Sequence, residues 1–311
     1  MWFRQLQLFQ IDPSIQYTPE ILIQKLEPFA FKSCLPSLPS SIGWVSPLDN
    51  DNAPLIHAAN GYMMLCLQAE DKILPATVIR QALDEKIKQI EDSQARKVYK
   101  KEKLSLKDEM MMTLLPRAFS KLSRVYAYID TYNHWLVIGN TNGKRVEQLT
   151  MLFKKTISED IHPCQLKKLG PILTHWLSTQ DYPSSFSIEK AAVLQDPGQQ
   201  TRTIRCQQQD LFAGSIQSLL KDGCEVKELA FSWQDQINFI LSNDFLLRSI
   251  QFHDELIAQT DEMNNETKEQ QFDADFVIMT ETLAVLLKDL LQQFEKAKDT
   301  VPKSIETLSI A

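Results

Sequence analysis

Glycine is scarce, at 8 of 311 residues, and none of the eight falls in a G-x-x-x-x-G-K-[ST] or G-x-G-x-x-G run. A phosphate-cradling loop needs such glycines, because its backbone must turn tightly and approach the ligand closely. Their absence counts against an ATP-driven recombinase or helicase. The five cysteines (Cys34, Cys66, Cys164, Cys206, Cys224) are scattered and contain no Cys-x-x-Cys. This argues against a disulfide framework or a thiolate zinc site and fits a reducing cytosol. The five histidines (His57, His134, His162, His175, His253) are far apart in sequence and none forms H-E-x-x-H. No G-x-S-x-G elbow appears, although a Ser or Cys triad assembled from distant residues stays open. No apolar run approaches the roughly 18 residues of a membrane span. The opening residues, Met1 to Gln5, lack the long apolar stretch and small-residue cleavage site of a secretory signal. A cytoplasmic protein without a membrane partner is expected. Positive charge is also in deficit: 33 Lys and Arg stand against 40 Asp and Glu, for a net charge of −7. Such an average counts against nucleic acid as a partner, unless the cations are gathered on one surface.

What is present reads as a mixed α+β chain. A length of 311 residues holds two or three packed units, because single cores stop growing at about 250–300 residues. Leu6 to Phe9 alternates like a strand, and Thr18 caps a short helix over Pro19 to Leu26. Ser33 to Pro47 is rich in Pro and Ser and reads as loop, interrupted by Gly43-Trp44-Val45. Asn60-Gly61 between two apolar runs predicts a hairpin, since both residues tolerate positive φ. From Pro75, placed at a first helical position, to about Ser120 the chain is dense in helix formers. Leu83, Ile87 and Ile90 mark one apolar stripe there, and two helices are expected, parting near Leu104-Ser105. Strands return at Arg124–Ile129 and Trp135–Ile138. Asn142 caps a helix from about Gly143 to Thr156, and helices are expected at Ile172–Leu177 and Ser215–Leu220, the latter closed by Gly223. A strand meander follows at Lys227–Trp233, Gln236–Leu241 and Leu247–Phe252. Then come a long helix, about Ala274 to Lys296, and a polar tail. The predicted organisation is a central α+β domain from 1–72 and 121–165, a helical arm at 73–120, and a second α+β domain at 166–311.

The missing positive charge is concentrated in the arm. Between Lys86 and Lys107 lie eight basic residues, Lys86, Lys88, Arg96, Lys97, Lys100, Lys101, Lys103 and Lys107, against Glu91, Asp92 and Glu102. That window carries +5 in a chain of −7, so the remainder carries −12. Arg96, Lys100, Lys103 and Lys107 are 4, 3 and 4 apart and project from one side if the helix is continuous; a break near Ser105 would separate Lys107. Duplex DNA carries about one charge per 1.7 Å of axis, so a basic stripe on a rigid helix suits its backbone. Lysine outnumbers arginine here, which favours phosphate contact over base reading. The alternative is a solvated face that only keeps the arm soluble.

Several runs in this sequence resemble the recombination-associated RdgC family. They are Lys72-Ile73-Leu74-Pro75 with Val78-Ile79 and Gln81-Ala82-Leu83; Gln94-Ala95-Arg96-Lys97; Leu106-Lys107-Asp108-Glu109; Leu114-Leu115-Pro116-Arg117-Ala118-Phe119-Ser120; Phe272-Asp273-Ala274-Asp275-Phe276; and Gly43-Trp44-Val45. They occur in family order from the N-terminus to about Leu283. The resemblance implies a two-fold, ring-like homodimer with a positive central hole. It further implies binding of single- and double-stranded DNA without sequence preference, association with the nucleoid, and limitation of RecA recombinase by occupying DNA. It implies no cofactor and no catalysis. Phe119 matches a family position at a ring contact, with Arg117 beside it as a DNA-facing cation. Gln208-Gln209-Asp210 stands where family members can carry Lys-Gln-Asp, a second site for DNA binding or ring closure; the lysine is missing.

Other readings compete. Asp273 and Asp275, with Asp254 or Glu255, would hold Mg²⁺ in a nuclease if they share a face; the alternative puts the pair at a helix N-terminus, with Phe272 and Phe276 packed together. Tyr126, Tyr128, Tyr132 and Trp135 either stack bases or fill a sheet core. Ala284 to Phe294 is an amphipathic run, for a subunit contact or for the core. A further alternative has the arm bind an acidic protein and never touch DNA.

Overall fold

The computed structural model describes residues 1–13, 18–48, 50, 53–166, 169–196, 198, 202–261 and 267–297. The chain begins with β1 (Leu6–Gln10) and α1 (Pro19–Leu26), where the Thr18 hydroxyl accepts the Ile21 N–H at 3.4 Å. Then come β2 (Ser40–Val45), β3 (Ile56–Ala59) and β4 (Tyr62–Ile73). Asn60 and Gly61 make the β3–β4 turn with φ of 47° and 77°, the twist that a two-residue hairpin turn requires. Next are α2 (Ala76–Gln94), α3 (Lys100–Leu114), β5 (Phe119–Asp130), β6 (Trp135–Ile138) and α4 (Gly143–Ile157). Asn142 caps α4 by accepting the Arg145 N–H at 3.3 Å. The remainder is β7 (His162–Pro163), α5 (Leu169–Thr179), β8 (Phe186–Gln195), β9 (Thr203–Gln207), α6 (Gly214–Lys221), β10 (Glu225–Trp233), β11 (Ile237–Ser242), β12 (Leu246–Phe252), α7 (Asp254–Asp261) and α8 (Lys268–Ala297).

The α+β expectation holds. Among the described residues, twelve strands join one antiparallel sheet, ordered β2-β4-β5-β6-β1-β12-β11-β10-β8-β9, with β3 also on β4 and β7 on β1. Leu6 pairs with Leu247, so the sheet runs unbroken from the first strand into the C-terminal meander. Side chains alternate across each strand and feed two cores. One face of β1, β4, β5 and β6 packs on α1 and α4 through Phe9, Leu65, Ala127, Leu136 and Phe153. The other face joins β8 to β12 against α5, α6 and α8 through Leu8, Tyr128, Phe231, Trp176 and Phe294.

Helix α8 is 30 residues long, about 45 Å at 1.5 Å per residue, and it spans both halves of the sheet. Near its middle Glu281 accepts from the Asn60 amide at 3.0 Å; farther along, Asp289 accepts from the Trp233 indole at 2.9 Å. Ala284, Leu286, Leu287, Leu290 and Phe294 are buried, which places the amphipathic run in the core, with Val285 outside. No helix among the described residues is long and apolar enough to cross a membrane.

Some elements differ from expectation. Pro75 is the N-cap of α2, with extended ψ of 139°, and the helix starts one residue later. Ser40–Val45, within the Pro- and Ser-rich stretch read as loop, is a strand on β4. Its Gly43 is required by close approach, since a Cβ there would lie 2.3 Å from Phe31 Cα. Strands β8 and β9 are not foreseen in the sequence; β8 depends on long-range pairing with β10, and β9 in turn pairs with β8, rather than either following a local pattern. The polar tail after α8 lies outside the described residues.

Candidate functional site

The arm grows out of the sheet. β4 and β5 pair over twelve residues, from Tyr62 opposite Asp130 to Ile73 opposite Phe119. Their inner halves are buried and their outer ends are exposed, so the hairpin leaves the body. Asp71 braces it against α4 by accepting from Lys144 at 3.0 Å and Arg145 at 2.5 Å. Burial pushes the Asp71 carboxyl up, but the hydrogen bonds from Arg145 and Lys144 outweigh it and hold the group below its ordinary value. Helices α2 and α3 cap the hairpin as a helical pair. The expected stripe of Leu83, Ile87 and Ile90 is half-buried where α2 packs on α3, and Val98, Leu106 and Leu115 of the return path are buried.

The helices do not part at Leu104-Ser105. Those residues lie inside α3 and face solvent, where a serine is tolerated because water satisfies its hydroxyl. The parting is at 95–99. Ala95 ends α2 in a left-handed conformation, φ 49°, and Glu91 accepts the Val98 N–H at 3.0 Å to close the turn. The stripe expected from Arg96 through Lys107 is therefore not one helical face. Arg96 and Lys97 sit in the turn, while Lys100, Lys103 and Lys107 share a side of α3 at spacings of 3 and 4, with Lys101 beside them. Lys107 stays with the others.

Arg96 is already engaged. Both its terminal nitrogens donate to Glu102 at 2.7 Å, a bidentate pair that holds the Glu102 carboxyl below its usual range and raises the Arg96 guanidinium. Among the described residues, no carboxylate lies within ion-pair distance (4.0 Å) of Lys97, Lys100, Lys101, Lys103 or Lys107, and all five are exposed. Lys86 and Lys88 sit on α2 with Asp84, Glu85, Glu91 and Asp92 near them in sequence, so the net charge of that stretch is low, although no ion pair among the described residues holds either lysine. The cations are densest over residues 96–107, where six basic residues meet the single acid Glu102, for +5, with Asp108 and Glu109 following directly on α3.

That cluster begins at the N-terminus of α3, which has no side-chain cap. A helix N-terminus carries about half a positive charge, so lysines there are disfavoured by about 0.3–1 kcal/mol each. The fold places Lys100, Lys101 and Lys103 where the backbone repels them. The lysines and the free N–H groups together create a concentrated positive potential, the arrangement that binds phosphate.

The remaining candidates are spread over the molecule. Arg117 is exposed in a 3₁₀ turn, Leu115–Arg117. Phe119 opens β5 with 84% of its surface exposed, opposite Ile73 at 49%. Gln208 and Gln209 are exposed in the turn after β9. Gln208 is left-handed at φ 54°, and the Gln209 N–H donates to the Lys190 carbonyl at 3.3 Å. Of the four aromatics proposed for stacking, Tyr128 and Trp135 are buried, Tyr126 is half-buried, and only Tyr132 is exposed, edge-on to Tyr62.

The carboxylates offered for Mg²⁺ are not brought together. Asp273 and Asp275 lie inside α8, not at its N-terminus, and two residues along a helix point to divergent sides. Asp273 accepts from His57 at 2.9 Å, and Asp275 pairs with the Met1 ammonium and Gln271. Phe272 and Phe276 both pack edge-on to His57, at 5.2 and 5.4 Å. Asp254 and Glu255 open α7. Among the described residues, no group of three or more His, Cys, Asp or Glu side chains is arranged to hold a metal ion.

Comparison with known proteins bears on what this arm serves. A family model described as "Putative exonuclease, RdgC" matches residues 1–297. The chain belongs to the RdgC family. Relatives named "Recombination-associated protein RdgC" include those of Yersinia enterocolitica serotype O:8, Yersinia pestis and Yersinia pseudotuberculosis serotype O:1b. Each is 36% identical over 300 residues, covering 94% of this chain and 97% of the relative. The likeness carries the recombination-associated RdgC family across the whole described fold, arm included. Two contacts at the arm escaped sequence reading. Glu102 lies six residues from Arg96, a spacing that no continuous helix brings together. The Asp71–Arg145 brace joins residues 74 apart, and no local pattern announces it.

Proposed function

We propose that this RdgC-family chain binds DNA without reading its sequence, through the cation cluster at the tip of its helical arm, and that it is not a nuclease. The observation that carries this reading is the convergence of five unpaired lysines with the N-terminus of α3. Lysine heads on flexible stems suit a regular row of phosphates better than they suit base edges. An acidic molecule that holds a polyanion must segregate its charge, and this one does so on a projecting element away from its negative body.

The reading extends to assembly. Phe119 and Ile73 form an exposed apolar pair at the root of the arm, beside Arg117, which supports a contact with the arm of a second copy. Two-fold symmetry would then set two basic clusters facing one duplex. Occupied DNA is closed to other proteins, and RecA would be limited by competition rather than by direct contact. Nucleoid association follows from the same binding.

The test is binding to unrelated duplexes across a salt series. Affinities for different sequences should be alike and should fall steeply with salt, at a log–log slope of about −4.5 if about five phosphates are neutralised. A flat response refutes the reading. Intact DNA after long incubation with Mg²⁺ is expected, and cleavage abolished by Asp275→Ala would establish the nuclease instead.

A further inference from the structure

The arm joins the body through a narrow neck. Strand β2 reaches along β4 only as far as Ser40, opposite Asp71, and β6 pairs with β5 only from Ala127 inward. One more bond follows on the β2 side, from the Lys72 N–H to the Pro39 carbonyl at 2.8 Å. Beyond it a single rung, Ile73 opposite Phe119, precedes Pro75 and the two helices. A two-stranded ribbon twists more than a wider sheet, and on its own it is only marginally stable. Left unsupported, such a neck would let the helical pair swing.

Two consecutive acids, Glu70 and Asp71, stand at that neck, and adjacent residues of a strand point to opposite faces. On one face Lys144 and Arg145 of α4 donate to Asp71, and Arg145 also donates to Gln148 at 2.8 Å. Helix α4 is fixed to the body by the buried Val146, Leu149 and Phe153. Its first turn holds these two cations and no acid. The helix dipole disfavours positive charge there, so both cations gain from the carboxylate across the neck. On the other face Glu70 accepts the Cys34 N–H at 2.8 Å. The segment that carries Cys34 crosses over Gly43. The Phe31 N–H donates to the Trp44 carbonyl at 2.8 Å, and Phe31 Cα occupies the space that a Cβ on residue 43 would fill. The Cys34 N–H and the Ser120 hydroxyl hold the Glu70 carboxyl below its ordinary value.

We propose that Glu70 and Asp71 are positioning residues: gripping the neck from opposite faces, they fix the direction in which the arm carries its cations. A grip on one face resists rotation of the ribbon in one sense only; grips on both faces resist both. A fixed arm presents Lys100, Lys103 and Lys107 already aligned, so that a polyanion does not have to order it on binding. The consequence for DNA affinity rests on the arm reading; the direction of the arm does not.

The experiment places spin labels, through unnatural amino acids, at Leu104 of α3 and Met151 of α4, both exposed. The labelled full chain is diluted in unlabelled chain, and pulsed electron resonance reads the distance between the labels. The parent should give one narrow distribution. Glu70→Ala with Asp71→Ala should broaden it. Lys144→Gln with Arg145→Gln should broaden it from the body side, which keeps the test where the first variant is unstable. In the acid variant, duplex affinity should fall about tenfold, as when about one arm direction in ten is competent. The salt slope should not change, because no phosphate contact is lost. Removing two acids would by charge alone tighten DNA binding, so a loss marks orientation. Asp71→Arg with Arg145→Asp reverses the ion pair and should restore the narrow distance. The proposal is overturned if the acid variant keeps the parent's narrow distance, or if the reversed pair stays as broad as Asp71→Arg alone. A broadened distance with undiminished affinity refutes the arm as the DNA contact and leaves the grip on the neck standing.

Discussion

Replacing Lys100, Lys103 and Lys107 together with Gln removes three charges from one side of α3 without touching a packed residue. With about five phosphates neutralised, the intact protein has a log–log salt slope of about −4.5; with three contacts gone, the slope falls to about −1.8. Raising salt fourfold, from about 50 to 200 mM, then weakens the parent about 500-fold and the variant only about 12-fold. Stability should move the other way or not at all. The three lysines are exposed and bridge to no carboxylate among the described residues, so the change should stay within about 0.5 kcal/mol. Removing a cation from the first turn of α3 also relieves its clash with the helix dipole. Fluorescence anisotropy with several unrelated duplexes, run beside thermal denaturation, reads both quantities. An unchanged slope would place the phosphate contacts elsewhere. A fall of many degrees in Tm would make the lysines structural.

Glu102→Gln should release Arg96, tighten DNA binding and steepen the slope by about 0.9; weaker binding would mean that Arg96 serves only through its partner. Thr156→Val removes the acceptor for the Trp44 indole N–H, held at 2.9 Å in the core, and should cost about 1–3 kcal/mol in urea denaturation. Asp71 is held below its ordinary value in the fold, so the unfolded chain takes up that proton first as pH falls. Its brace therefore stabilises fully above the ordinary aspartate range of about pH 4 and fades as pH drops through the folded value; Asp71→Asn should flatten that part of the acid limb, and an unaltered limb would count against the brace. Phe119 is exposed in the single chain, so Phe119→Ser should disturb no internal packing, and if the proposed arm contact forms, sedimentation should show a smaller assembly than the parent; an unchanged assembly would remove Phe119 from the contact.

Much of the chain was legible where a local rule governs. Thr18 and Asn142 cap helices as their side chains require, and Asn60-Gly61 turns a hairpin because both accept positive φ. The stripe of Leu83, Ile87 and Ile90 faces its partner helix. Legibility failed where the cause is distant. Ala95 is a strong helix former by intrinsic preference, yet it ends α2, because the turn that seats Val98 between two helices needs a left-handed residue there. The acids Asp273 and Asp275 looked like a helix start in sequence. The helix begins earlier, and their partners, His57 and Met1, come from more than two hundred residues away.

Composition and spacing alone determined that positive charge is gathered between Lys86 and Lys107 and that glycine-rich phosphate loops are missing, since both are properties of residue order. Only the tertiary structure decided which of those cations are available. Folding turns the chain at Ala95, ties Arg96 to Glu102, leaves Lys86 and Lys88 among acids, and carries the remaining lysines outward on a braced hairpin. Charge is written in the sequence, but a field depends on distance, and distances exist only once the chain has folded.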